Sequence, residues 1–152
     1  MDNTEIRKKL MEAKKGCLIV VGGLAQEVVE VVDYKLHTAS WRDLVCQRGD
    51  ENIVVEVADG DKISIWREID DLEKSIALQD AAIAFQGETL VLEELGRPDV
   101  MVDGNDEGKV VYAIFVGESG AVVCGEDWPD DDLRIYHLEK EVSLSKIDVI
   151  PS

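Results

Sequence analysis

After Gly16 the chain is written in short runs of β-branched and other apolar residues, and a glycine or an acidic turn cuts nearly every run. Valine and isoleucine are stiff at χ1 and pack well on a pleated surface, so such runs favour strands. Residues 17–21, 26–34, 41–47, 53–58 and 62–68 are successive strand candidates. Gly22-Gly23, the polar turn Arg48-Gly49-Asp50-Glu51 and Asp59-Gly60-Asp61 separate them. The Asp-Gly pair in the last of these is a strong hairpin signal, because a type I′ turn needs two residues at positive φ. In 62–68, Ile63 and Ile65 share one face while Lys62, Ser64 and Trp66 share the other, which predicts one buried and one wet face. Residues 70–78 read equally as a helical turn or a linker.

The stretch before Gly16 is different. Asp2 or Asn3 can cap a helix, Glu5 completes a capping box if Asp2 is the cap, and Ile6, Leu10 and Ala13 fall on one face. Lys14 and Lys15 suit the negative end of the helix dipole, and Gly16 supplies the stop. The spacing predicts a short helix over about 3–15, laid on something else.

From residue 81 the same grammar returns. Residues 83–85, Gln86-Gly87-Glu88 and 90–95 answer 19–21, Gly22-Gly23 and 26–31, while 109–116, 117–120 and 121–124 answer the strand-turn-strand of 41–57. Leu133, Ile135 and Tyr136 answer Ile63, Ile65 and Trp66. The offset between the halves grows along the chain, with longer connections at 98–108 and 128–132. Either an internal duplication of 17–69 and 81–150 or the general likeness of all-β sequences accounts for this. The expected fold is one all-β, mainly antiparallel domain of two similar halves. They form a barrel or sandwich, with the helix over one open end or edge and 147–150 as a closing strand.

Composition narrows the function classes. Against 16 Lys and Arg stand 33 Asp and Glu, for a net charge of −17. Such a surface repels phosphate backbones and anionic lipid heads, so nucleic acid and membrane insertion are not expected. The charge serves solubility in the plainest reading; a basic protein partner, a polyamine or a divalent cation is the sharper one. No apolar run approaches the ~20 residues of a membrane span, and the first fifteen residues lack the apolar core of a signal peptide. Cys17, Cys46 and Cys124 are odd in number and far apart, which fits unpaired thiols in a reducing cytoplasm.

The residues Tyr34, Trp41-Arg42-Asp43-Leu44 and Val54-Val55-Glu56-Val57-Ala58-Asp59 in the first half have a familiar cast. So do Phe85-Gln86-Gly87-Glu88, Tyr112, Glu126-Asp127-Trp128 and Ile147-Asp148-Val149-Ile150-Pro151 in the second. With these the chain resembles the family called domain of unknown function 4178, over roughly 17–151. Where that family usually carries Trp-Leu, this chain has Val54-Val55. The resemblance implies a β-rich fold with an aromatic-plus-acidic strand in each half, and it brings no activity or catalytic residue.

Candidate chemistry is sparse. His37 and His137 stand without a second His or Cys at ligand spacing, so no zinc motif is present. The acidic stretches 99–107 and 126–132 lack the EF-hand's alternating ligands and terminal Glu, and read as solvated turns. No cofactor motif occurs: Gly22-Gly23 lacks the spacing and following helix of a phosphate cradle. The best pair for acid–base chemistry is Glu56 with Glu126, each after an apolar strand and at corresponding places in the two halves. The alternative is that each points outward or pairs with an arginine such as Arg42 or Arg134. Trp41, Trp66, Trp128 and Tyr136 are the candidates for a binding surface, or else plugs in the interior. The leading expectation is therefore a non-enzymatic binding or accessory module that holds a protein partner. A hydrolase or metal-assisted enzyme using the carboxylate pair, and an acidic decoy for a basic protein, are the alternatives.

Overall fold

The computed structural model describes residues 3–58, 63–69, 81–128, 133–140 and 146–152. Asp2 as a cap, the Asp59-Gly60-Asp61 turn, residues 70–78 and Pro129–Asp132 of the acidic loop lie outside the described residues. Helix α1 spans Asn3–Glu12. It stops short of Lys14 and Lys15: Ala13 N–H bonds the Leu10 carbonyl at 3.3 Å, and Gly16, at φ +98°, turns the chain into the first strand. Ile6, Leu10 and Ala13 are buried, as their spacing requires.

Everything after α1 is strand and turn. The first half is a five-strand meander: β1 (Leu18–Val21), β2 (Leu24–Lys35), β3 (Ser40–Arg48), β4 (Glu51–Ala58) and β5 (Ile63–Ile69). The second half holds β6 (Ala82–Phe85), β7 (Glu88–Gly96), β8 (Asp99–Val102), β9 (Asn105–Lys109), β10 (Val111–Val116), β11 (Val122–Trp128) and β12 (Leu133–Lys140), and β13 (Ile147–Ile150) ends the chain. All pairings are antiparallel, in the order β13-β1-β2-β3-β4-β5-β12-β11-β10-β7-β6. Within the second half, β6, β7, β10, β11 and β12 form a meander of the same order as β1 to β5, and the two join where β5 pairs β12. The path has two free ends, β13 and β6, so the sheet is open and sandwich-like rather than a closed barrel.

The long connection at 98–108 is itself a hairpin, β8–β9, whose first strand, β8, crosses to pair with β2 of the first half. Its turn is Asp103-Gly104, with φ of 50° and 83°, the geometry of a two-residue hairpin. Asp103 also accepts a bond from the Val31 N–H at 3.0 Å, tying the turn back to β2. What reads in sequence as a solvated acidic loop is thus a structured clasp between halves.

The continuous sheet has two working faces. One carries two apolar clusters: Leu10 of α1 with Ile19, Val28, Leu44, Val55 and Ile65 in the first half, and Ile69, Leu90, Ala113, Phe115, Val123 and Tyr136 in the second. At ~25 cal/mol per Å² of apolar surface, this burial is the main stabilising contribution. The opposite face was expected to be wet along β5, yet Ser64 and Trp66 are buried there. That face curls around an internal pocket. Among the described residues no helix is long and apolar enough to cross a membrane.

Candidate functional site

The pocket has a volume of about 360 Å³ and is lined from both meanders: by β3, β4 and β5 on one side and β7, β10, β11 and β12 on the other. Strand alternation decides which residues reach it. On β3, Trp41 and Asp43 face the pocket while Arg42 faces away, where it pairs with Asp33 at 2.7 Å and donates to the Met11 carbonyl at the end of α1. On β4, Val54, Glu56 and Ala58 line it while Val55 and Val57 enter the first core. Cys124 and Glu126 of β11 line it, while Asp127 turns outward to Arg134. The arginines therefore sit one residue out of phase with the pocket carboxylates. Their partners are Asp33 and Asp127, not Glu56 and Glu126.

β7 departs from alternation for an identifiable reason. Its pairing with β10 slips, Ile114 facing Glu94 and Phe115 facing Leu92, so Glu93 is an extra residue. Such a bulge re-aims side chains, and here both Glu93 and Glu94 line the pocket. Gly96, opposite Tyr112, gives the other local adjustment: a Cβ there would overlap the Tyr112 ring. The ring occupies that space, and its hydroxyl donates to Glu94 Oε2 at 2.8 Å.

Among the described residues six carboxylates line the pocket (Asp43, Glu56, Glu93, Glu94, Glu126 and Glu139), and neither lysine nor arginine does. Asp43 and Glu126 are the deepest, at 9% and 7% exposure. Glu56 is half-buried and directly opposite Asp43 in the β3–β4 register. Tyr34, 3% exposed, stacks on Trp41 at 5.1 Å and donates its hydroxyl to Glu126 Oε2 at 2.7 Å. Asp43 engages the same hydroxyl. That contact favours the ionised Asp43 carboxyl, but larger effects oppose it. Burial first, then the charges of Glu56 and Glu126, hold the Asp43 carboxyl well above the usual range. Burial also raises Glu126, against the opposing Tyr34 bond. Among the described residues, two buried polar atoms of the lining lack a protein partner: Asp43 Oδ1 and the Trp66 indole nitrogen.

Cys124 and His137 are opposite each other on β11 and β12 and both line the pocket, a pairing invisible in sequence. It is not an activated nucleophile. Burial and then Glu126, Glu56 and Asp43 push the thiol well up, and burial lowers His137 to about 4, so thiolate and imidazolium are both disfavoured. His37 is exposed in the bend after β2. Among the described residues no group of three or more His, Cys, Asp or Glu is disposed to hold a metal ion.

The sequence candidates divide accordingly. Glu56, Glu126, Trp41 and Trp66 meet in the pocket. Trp128 is half-buried against the cluster of Val32, Tyr34, Val100 and Val110 that links β2 to the clasp. Tyr136 does not form a binding surface: at 1% exposure it is part of the second apolar core, because it alternates out of phase with His137. Asp43, Tyr34, Glu94, Tyr112 and Cys124 join the site only through register, although Asp43 stands two residues from Trp41 and so shares its face in any strand. No known protein family, no curated protein and no solved structure matches the chain. The resemblance to domain of unknown function 4178 accordingly rests on the quoted residues alone.

Proposed function

We propose that the protein is a binding module whose ligand is an organic cation, taken into the pocket between the two meanders. The observation that carries this reading is the lining itself: among the described residues, six carboxylates, aromatic walls and no fixed positive charge around one cavity. An ammonium or guanidinium ion there gains carboxylate hydrogen bonds and the faces of Trp41, Trp66 and Tyr112. A volume of about 360 Å³, scaled from a ~150 Å³ cavity that holds benzene, suits about fourteen non-hydrogen atoms. A small amine, or a lysine or arginine side chain offered by a protein partner, fits within that limit.

Calorimetric titration tests this with butylammonium, the matched alcohol and carboxylate, and a lysine-bearing peptide. Binding of the cation alone supports the reading, and the peptide arm separates side-chain capture from a free amine. Equal binding of the neutral and anionic analogues, or no binding of any cation, overturns it. In Asp43→Asn/Glu126→Gln the cation affinity is expected to fall at least about tenfold, or ~1.4 kcal/mol.

A carboxylate enzyme is the second reading, favoured by one observation. The Asp43 carboxyl, raised by burial and by the charges of Glu56 and Glu126, stands directly across from Glu56 in the β3–β4 register, and a carboxyl with a raised pKa next to a second carboxylate is the arrangement general acid–base catalysis needs. Turnover of chromogenic glycosides or esters that disappears in Glu56→Gln would establish it.

A further inference from the structure

The carboxylates of the pocket are not at one depth. Asp43 and Glu126 are buried, whereas Glu93 and Glu94 are exposed and Glu139 is half-buried. Much of the remaining lining is apolar, including Val54, Ile114 and Val122. A ligand with one charge satisfies only one of these tiers. We infer that the pocket takes a linear aliphatic diamine or polyamine end-on, with one ammonium at Asp43 and Glu126 and the next at Glu93, Glu94 and Glu139; this rests on the organic-cation reading above.

The inner tier has the chemistry of an ammonium seat. Its carboxylates come from two strands, β3 and β11, with the Tyr34 hydroxyl on Glu126. A tetrahedral three-donor ammonium can bridge groups on separate strands, whereas a guanidinium gains most from one carboxylate gripped by both of its parallel donors. Asp43 Oδ1, buried and without a hydrogen-bond partner, is the acceptor such a seat leaves open. Taking an ammonium out of water is costly unless close opposite charge and hydrogen bonds replace the lost hydration; an ammonium seated there in turn favours the ionised form of both inner carboxyls. The methylene stem then lies against apolar and aromatic wall, as lysine stems do. The outer tier contacts solvent, so each of its ion pairs contributes weakly, as exposed ones do. It therefore sets selectivity between one charge and two.

The test is calorimetric titration of the full chain near neutral pH and low salt with 1,4-diaminobutane and with butylamine, repeated on Glu93→Gln/Glu139→Gln. The wild-type protein is expected to bind the diamine about tenfold more tightly than the monoamine. In the rim variant the ratio of the two affinities is expected to fall close to one. Equal affinity of the wild type for the two amines overturns the inference, as does a diamine preference that survives in the rim variant. Either of those results leaves the organic-cation reading standing. Failure of both amines to bind the wild type removes that reading as well.

Discussion

Asp43 and His137 sit in one pocket and make opposite demands on pH. The Asp43 carboxyl is raised by burial and by Glu56 and Glu126, so the folded state holds a proton that the unfolded chain releases above its ordinary value near 3.9. Its stabilisation is complete below that value and is lost as pH rises toward the folded-state value. Asp43→Asn is therefore expected to gain stability relative to wild type as pH climbs from 4 to 8, read from urea midpoints at both ends. His137 is lowered to about 4 by burial. Its contribution is complete above about 6.5 and is lost as pH falls to about 4, a change of about 3 kcal/mol. His137→Gln removes this acid-side loss, so the wild-type advantage over it shrinks between pH 7 and pH 4. A pH-independent difference would mean that His137 keeps an ordinary titration. Of these residues, Glu56 and Glu126 stood out in the sequence because each ends an apolar run. Asp43 did not, since a carboxylate next to Arg42 reads as half of a surface ion pair until the strand separates them onto opposite faces.

At the scale of elements, β7 holds the pocket wall by departing from regular alternation, and α1 holds the core from the other side. Leu10 is wholly buried between α1 and the sheet. Leu10→Ala is expected to cost 2–5 kcal/mol, the range for emptying such a site, while leaving amine affinity unchanged in the folded fraction. Gly96→Ala is the converse case. The added Cβ displaces the Tyr112 ring and its bond to Glu94, so the cost is an overpacking ~1–3 kcal/mol together with weaker amine binding. Urea denaturation with titration on the same two variants separates the roles; equal binding losses in both would contradict them. The meanders were legible because valine-rich runs and glycine turns act locally. The bulge at Glu93 was not, because it exists only in the register of β7 against β10. The β8–β9 clasp carried a readable signal, Asp103-Gly104. Its acidic neighbours made that pair look like one more solvated turn, and its pairing with β2 spans about seventy residues of chain.

The whole molecule concentrates a general excess of negative charge into one interior place. With a net charge of −17, self-repulsion opposes the compact state and added salt relieves it. Thermal midpoints without ligand are therefore expected to rise with sodium chloride. A bound amine acts differently: it neutralises charge where the two meanders face each other, and at a hundredfold excess over its dissociation constant it adds about 2.7 kcal/mol. For a chain of this size that corresponds to a rise of about 5–10 °C. Because salt weakens the amine's attraction while relieving the protein's own repulsion, the two stabilisations should not add. Scans at low and high sodium chloride, each with and without 1,4-diaminobutane at one fixed concentration, give the four midpoints needed. The amine increment is expected to shrink at high salt and to be absent at either salt in Asp43→Asn/Glu126→Gln. An increment of the same size in that variant would place the amine on the outer acidic surface, as a diffuse counterion, and not in the pocket.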